Sequence, residues 1–275
     1  MTMSDLQDFN GTLVLVGAGK MGGAMLEGWL ALELDPHKIA ILEPKPAPEI
    51  GALAARGVRI NPAMAAITDA SVIVIAIKPQ DAAAVVPTLE PLARNDRLAI
   101  SVMAGKTIGF LEGALGNCPI VRSIPNTPAA VGRGITVAVP NAQVSEAQRK
   151  LSDALLRSVG AVEWVEDEGL IDAATAVSGS GPAYVFLLAE SLARAGAAAG
   201  LPADLSARLA RATVSGSGEL LHRSPLDAAT LRANVTSPGG TTAAALGVLM
   251  AGDGLDPLME KAVAAATRRS RELAG

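Results

Sequence analysis

Aromatic residues are nearly absent from this chain of 275 residues: three Phe, two Trp and one Tyr, 2% of the whole. Without them there is no base-stacking platform, and a net charge of −4 supplies no basic footprint. Nucleic-acid binding is therefore not expected. The single cysteine, Cys118, excludes an internal disulfide and fits a reducing compartment, so a cytoplasmic protein is expected. The only histidines, His37 and His222, lie in polar, turn-like contexts, which makes Cys118 a structural thiol rather than a nucleophile. So few soft ligands also argue against a metal site. No apolar run approaches the ~20 residues that a bilayer crossing takes. The most apolar stretch, 71–77, is short. The longer run 183–199 is interrupted by Glu190 and Arg194 at i, i+4 spacing and reads as a buried helix. The first ten residues are polar and acidic, without the basic and apolar regions of a secretory signal, and no membrane association is expected.

What is present is aliphatic. Apolar residues make up 50% of the chain, so the core is built from Ala, Val, Leu and Ile. In the first half, short β-branched runs at 12–16, 39–43, 72–77, 98–102, 120–124, 135–139 and 161–165 alternate with helical stretches, the first of them at 21–34. That alternation predicts a parallel, doubly wound sheet. Beyond residue 165 no strand pattern recurs. Segments 170–175, 182–199, 203–221, 228–234, 241–250 and 257–273 read as helices, with Pro182 and Pro257 suited to first turns and Asp256 to a cap. The division expected is 1–165 and 166–275. The helical part is rich in Ala, Leu and Gly with thin charged faces; either a subunit interface or a self-contained bundle would bury that surface.

Gly17-Ala18-Gly19-Lys20-Met21-Gly22 directly follows the first strand, opens a helix, and precedes by about twenty residues an acid at the end of the second strand. Gly17 permits a tight turn, Gly19 lets backbone approach a pyrophosphate, and Gly22 lets the helix close on the sheet. This is a dinucleotide site. Glu43 after the second strand favours a ribose 2′-hydroxyl and hence NAD; Lys45, two residues on, suits a 2′-phosphate, so both NAD(H) and NADP(H) remain open. Ala76-Ile77-Lys78-Pro79 ends another strand, where the carboxyl edge of the sheet should face the cofactor.

A second glycine cluster stands far along the chain, at Thr236-Ser237-Pro238-Gly239-Gly240-Thr241-Thr242, ahead of an alanine-rich helical segment. Free backbone N–H groups at a helix start, backed by the helix dipole, suit a small carboxylate or phosphate. The N–H groups of Gly239, Gly240 and Thr241 are the expected donors. Thr241 and Thr242 could equally act as helix caps.

Taken in order, these pieces resemble the pyrroline-5-carboxylate reductase family nearly end to end. To those already quoted are added Ser101-Val102-Met103-Ala104-Gly105, Arg122-Ser123-Ile124-Pro125-Asn126-Thr127-Pro128 and Val177-Ser178-Gly179-Ser180-Gly181-Pro182-Ala183-Tyr184. The resemblance implies an α/β protein with an N-terminal Rossmann-type domain and an all-helical C-terminal domain. It implies reduction of 1-pyrroline-5-carboxylate to proline by NADH or NADPH, a homodimer through the helical domain, and a ring of dimers. It also implies that Ser237, Gly239, Gly240, Thr241 and Thr242 hold the substrate, with Thr242 beside the ring nitrogen and Glu168 reaching the product site. Met103, Ala104 and Asn234 would lie at the cofactor. In place of the family's frequent His-Pro turn with a glutamate, this chain carries Ser224-Pro225-Leu226-Asp227.

The chemistry is self-consistent, since a cyclic imine takes a hydride at carbon and a proton at nitrogen while its carboxylate serves as a handle. A threonine hydroxyl is a poor acid, so Thr242 suits orientation or a water relay. Dehydrogenases of small hydroxy acids share the overall plan but use a substrate-side lysine. No lysine lies between Lys150 and Lys261. A nucleotide-binding module without catalysis would be expected to have a damaged second glycine cluster, and here it is intact.

Overall fold

The computed structural model describes residues 6, 9–94 and 97–274. Eight strands form one sheet: β1 (Thr12–Val16), β2 (Ile39–Leu42), β3 (Arg59–Ile60), β4 (Ala70–Ile75), β5 (Leu98–Ser101), β6 (Ile120–Ile124), β7 (Gly134–Pro140) and β8 (Gly160–Trp164). Their spatial order is β3-β2-β1-β4-β5-β6-β7-β8. The chain leaves β1 in one direction to build β2 and β3, then returns to β1's other side for β4. The carboxyl ends of β1 and β4 therefore flank the point where the winding reverses, which is where α/β sheets bind ligands. Both strands are almost wholly buried, as their unbroken Val, Ile and Leu content requires of a sheet covered on two faces.

Two features of the sheet depart from expectation, one an added parallel strand and the other a reversal. The two-residue strand β3 pairs with β2 and is too short to leave a pattern in the sequence. Strand β7 runs antiparallel to β6, whereas β7 and β8 are parallel. The connection 125–133 explains the reversal: it is shorter than the dozen or so residues that a parallel crossover takes. Strand composition carries no direction.

The helices are α1 (Lys20–Ala31), α2 (Pro48–Ala52), α3 (Ala82–Val85), α4 (Ile108–Leu115), α5 (Glu146–Arg157), α6 (Leu170–Ala174), α7 (Gly181–Ala198), α8 (Ala203–Arg223), α9 (Ala228–Asn234), α10 (Thr241–Leu249) and α11 (Leu255–Ala274). A π-helical turn, Thr175–Gly179, continues α6. Helix α11 starts before Asp256, which sits inside its first turn rather than capping it. On one side of the sheet, Leu13, Leu15, Met25, Trp29, Ile41 and Leu155 build one core cluster, and Val14, Ile73, Val86 and Leu111 contribute to another.

The chain forms two compact units, one through residue 179 together with 267–274, the other Ser180–Ala266. The sheet ends at Trp164, next to the boundary expected at 165, yet α6 and the π-turn group with the sheet. Asn126 accounts for part of this: its Nδ2 donates to the Ser178 carbonyl and its Oδ1 accepts from the Ile135 N–H, at 3.0 and 2.9 Å. At the other end of the chain, Ser270 Oγ donates to Asp172 Oδ1 at 2.6 Å, which fastens the last turns of α11 to α6.

The second unit has little interior. Among its described residues only Ser206 and Ala210 are buried, where α8 packs on α7. Helix α7, expected to be buried, has no buried residue within the single chain. Val185, Phe186, Leu187, Leu188 and Leu192 all stand exposed. Its apolar sequence is real; its cover is not supplied by this chain. No helix among the described residues is long and apolar enough to cross a membrane.

Candidate active site

The first glycine cluster sits where β1 meets α1, and each glycine answers a local demand. Gly17 has φ +88°, a conformation that side chains avoid, and a Cβ there would lie 2.8 Å from the Ala76 carbonyl oxygen. A Cβ on Gly22 would overlap the Gly17 carbonyl oxygen, so this glycine sets how closely α1 approaches the strand end. At Gly19, by contrast, a Cβ would meet nothing within 4 Å. The space beside Gly19 is open, and it faces the start of a 12-residue helix whose N-cap, Gly19 itself, offers no side-chain oxygen to the first N–H groups. Open room next to unspent donors is what a pyrophosphate needs, so the residues fit a bound dinucleotide. Lys20 and Met21 start α1 at this mouth, with Lys20 exposed.

Glu43 closes the other side. Its Oε2 accepts from the Ala18 N–H and its Oε1 from the Lys45 N–H, both at 3.0 Å. Its main chain is held in turn by Asn61, whose Oδ1 accepts from the Glu43 N–H at 2.9 Å and whose Nδ2 donates to the Glu43 carbonyl at 2.8 Å. Asn61 was not foreseen as a site residue. Its left-handed backbone, φ +49°, suits an Asn but leaves no sequence pattern.

Ala76 and Ile77 continue from β4, with the Ala76 N–H bonded to the Val16 carbonyl at 2.8 Å. Lys78 is exposed and precedes the turn that Pro79 opens. On the neighbouring strand, the loop after β5 holds Met103 buried and Ala104 exposed. That loop is shaped by Ser101, whose Oγ accepts from the Met103 N–H at 3.3 Å, and by Gly105, whose φ is +68° and whose missing Cβ makes room for the backbone of Leu273.

Glu168 proves to be tied down within the first unit. Its Oε1 accepts from Arg122 Nη1 at 2.5 Å and from the Ile108 N–H at 2.8 Å, at the start of α4. The Arg122 side chain is 4% exposed, and nothing in the sequence signals its partner. Together the two residues bond the strand β6 to the segment that leads into α6.

In the second unit the Ser-Pro-Gly-Gly-Thr-Thr loop lies between α9 and α10. The Gly240 N–H donates to the Ser237 carbonyl at 3.0 Å and closes the turn, so it is not one of the donors available to a ligand, contrary to expectation. Gly239 adopts φ +71° with nothing within 4 Å of where a Cβ would lie. Gly240 is the N-cap of α10 and no side chain caps that helix, which places Thr241 and Thr242 at its first two positions, not at its cap. The alternative role of these threonines as helix caps is thereby removed. Their N–H groups head a nine-residue helix with no side-chain acceptor. Asn234 ends α9, whose own N-cap is Asp227. Hydrogen bonding from the Thr230 backbone holds the Asp227 carboxyl below its usual range. Among the described residues no group of His, Cys, Asp and Glu side chains is placed to hold a metal ion.

Residues 12–105 match the family model described as "NADP oxidoreductase coenzyme F420-dependent", and residues 168–273 match "Pyrroline-5-carboxylate reductase dimerisation". The chain is 40% identical over 266 residues to the pyrroline-5-carboxylate reductase of Pseudomonas aeruginosa, spanning 95% of this chain and 96% of that one. The chain belongs to the pyrroline-5-carboxylate reductase family. Solved structures agree. A pyrroline-5-carboxylate reductase from Coxiella burnetii superposes with a TM-score of 0.88 at 33% identity, covering 96% of this chain and 99% of that one. The Plasmodium falciparum pyrroline carboxylate reductase, a crystal structure with NADP bound, gives 0.79 at 30% identity, with 96% and 98% covered. The matched helical region is a dimerisation domain, which accounts for a second unit with almost no interior of its own.

Proposed function

We propose that the protein reduces 1-pyrroline-5-carboxylate to proline with NADH or NADPH. The observation that carries this reading is the coexistence, in a member of this family, of an open nucleotide cradle at Gly19 and an uncapped helix start at Thr241. When bound, the dihydronicotinamide supplies a hydride to the imine carbon. Everything else falls to the protein: binding, orientation and charge.

Gly17, Ala18, Gly19, Lys20, Met21 and Gly22 hold the dinucleotide at the start of α1, with Glu43, Lys45 and the turn Ala76, Ile77, Lys78 and Pro79 around it. Met103 and Ala104 are further cofactor residues of the first unit, and Asn234 is a cofactor-binding residue of the second. The substrate carboxylate is received by Ser237, Gly239 and the N–H groups of Thr241 and Thr242, where the helix dipole favours an anion. The Thr242 hydroxyl orients the ring nitrogen or passes a proton to it through water. Glu168 fixes the segment after β8 through Arg122. Fixing both reactants can supply ~7–11 kcal/mol of the barrier in favourable cases.

Residues 1–165 form the dinucleotide-binding domain, and 166–275 carry the substrate and dimer functions. The working form is a cytoplasmic homodimer built on α7 and α8, assembling further into a ring of dimers. The test is a spectrophotometric assay of NADH and NADPH oxidation with pyrroline-5-carboxylate, with a small hydroxy acid and oxidised cofactor as control. Oxidation with matching formation of proline is expected. Turnover of the hydroxy acid alone would overturn the proposal.

A further inference from the structure

We infer that Glu43 is the specificity residue for the cofactor and that it makes this protein select NADH over NADPH. The inference rests on the reductase reading and adds to it which of the two dinucleotides the site is built for. The deciding geometry lies in the first unit. The Glu43 carboxylate is pinned against the phosphate loop by the N–H groups of Ala18 and Lys45, one on each oxygen. Two further bonds from Asn61 fix its backbone, and the Asn61 N–H is itself bonded to the Ile41 carbonyl at 2.7 Å. The group therefore has little freedom to swing away from an incoming ligand.

An ionised carboxylate only accepts hydrogen bonds, and each of its oxygens can take more than one. Placed at the end of β2 beside the glycine loop, it meets the adenosine ribose, whose 2′- and 3′-hydroxyls are donors. A hydroxyl there gains a charge-assisted bond. A 2′-phosphate offers no proton to share and brings close to two negative charges against one that cannot move aside. The neighbouring loop does not compensate. Residues 43–50 hold two glutamates, one lysine and no arginine, so the planar fork that clasps a phosphate is missing. Lys45 contributes its N–H to Glu43 and otherwise stands exposed.

The experiment is calorimetric titration of the full-length protein with ADP-ribose and with 2′-phospho-ADP-ribose, which removes catalysis from the readout. The wild-type protein is expected to bind the unphosphorylated ligand at least about tenfold more tightly. In Glu43→Gln that ratio should fall to about one, chiefly because the phosphorylated ligand gains affinity. Glu43→Ser, which removes the side chain, should shift it the same way. Equal or tighter binding of the phosphorylated ligand by the wild type, or an unchanged ratio in both variants, would overturn the inference while leaving the reductase reading in place. Failure of the wild type to bind either ligand would remove both.

Discussion

The guanidinium of Arg122 and the carboxylate of Glu168 meet at 2.5 Å, and the arginine is almost wholly enclosed. The pair joins β6 to the segment entering α6, and the same carboxylate oxygen takes the Ile108 N–H. Removing one partner leaves a buried charge and an unmet backbone donor. Glu168→Ala should therefore destabilise the protein by about 3 kcal/mol. Glu168→Gln, which retains an acceptor for Ile108, should cost less. Urea unfolding tests this: the midpoint should fall with the slope unchanged. A variant of native stability with a raised substrate KM would instead make Glu168 a substrate contact.

Thr242 stands at the second position of α10 with its hydroxyl unneeded for capping. Thr242→Ala should lower kcat by ~10²-fold while dinucleotide affinity, measured by fluorescence titration, stays within about twofold of wild type. Thr242→Ser should recover much of the loss. Parallel losses in turnover and cofactor affinity would contradict an action confined to the substrate.

Phe186 is 63% exposed on a helix that has no buried residue. If a second copy covers this face, Phe186→Glu should break the dimer and lower the melting temperature, because the second unit has almost no core to fall back on. Sedimentation of the variant should show monomer at concentrations where the wild type is dimeric. An unaltered dimer would place the interface elsewhere.

Burial raises the Cys118 thiol to about 11, and the nearby Glu112 carboxylate adds to the effect. Since the folded value lies above the ordinary 9.0, the neutral thiol's contribution to stability is complete below pH 9 and is lost as pH rises through about 11. At pH 8 the native protein should resist iodoacetamide, and the urea-unfolded protein should react. Rapid labelling of the folded protein at pH 8 would contradict this.

Much of this was legible beforehand where local chemistry decides structure. Strand β6 and helix α9 fall at the expected 120–124 and 228–234, and Gly17, Gly19 and Gly22 stand in the turn their spacing implies, whereas the Asp cap of α9 emerged only from the structure. What stayed hidden depends on partners distant in sequence. Arg122 and Glu168 are 46 residues apart and Asn61 lies 18 from Glu43, with no periodicity to link them. The antiparallel turn into β7 follows from loop length, not from strand composition. The exposed apolar face of α7 looked like core because composition does not say which chain supplies the cover.

Isotope transfer tests the central claim most directly. Dihydronicotinamide cofactor deuterated at the transferable position, incubated with the protein and pyrroline-5-carboxylate, should give proline with one deuterium at the former imine carbon. Proline formed without that deuterium, or no proline while the cofactor is oxidised, would contradict direct hydride delivery to the imine.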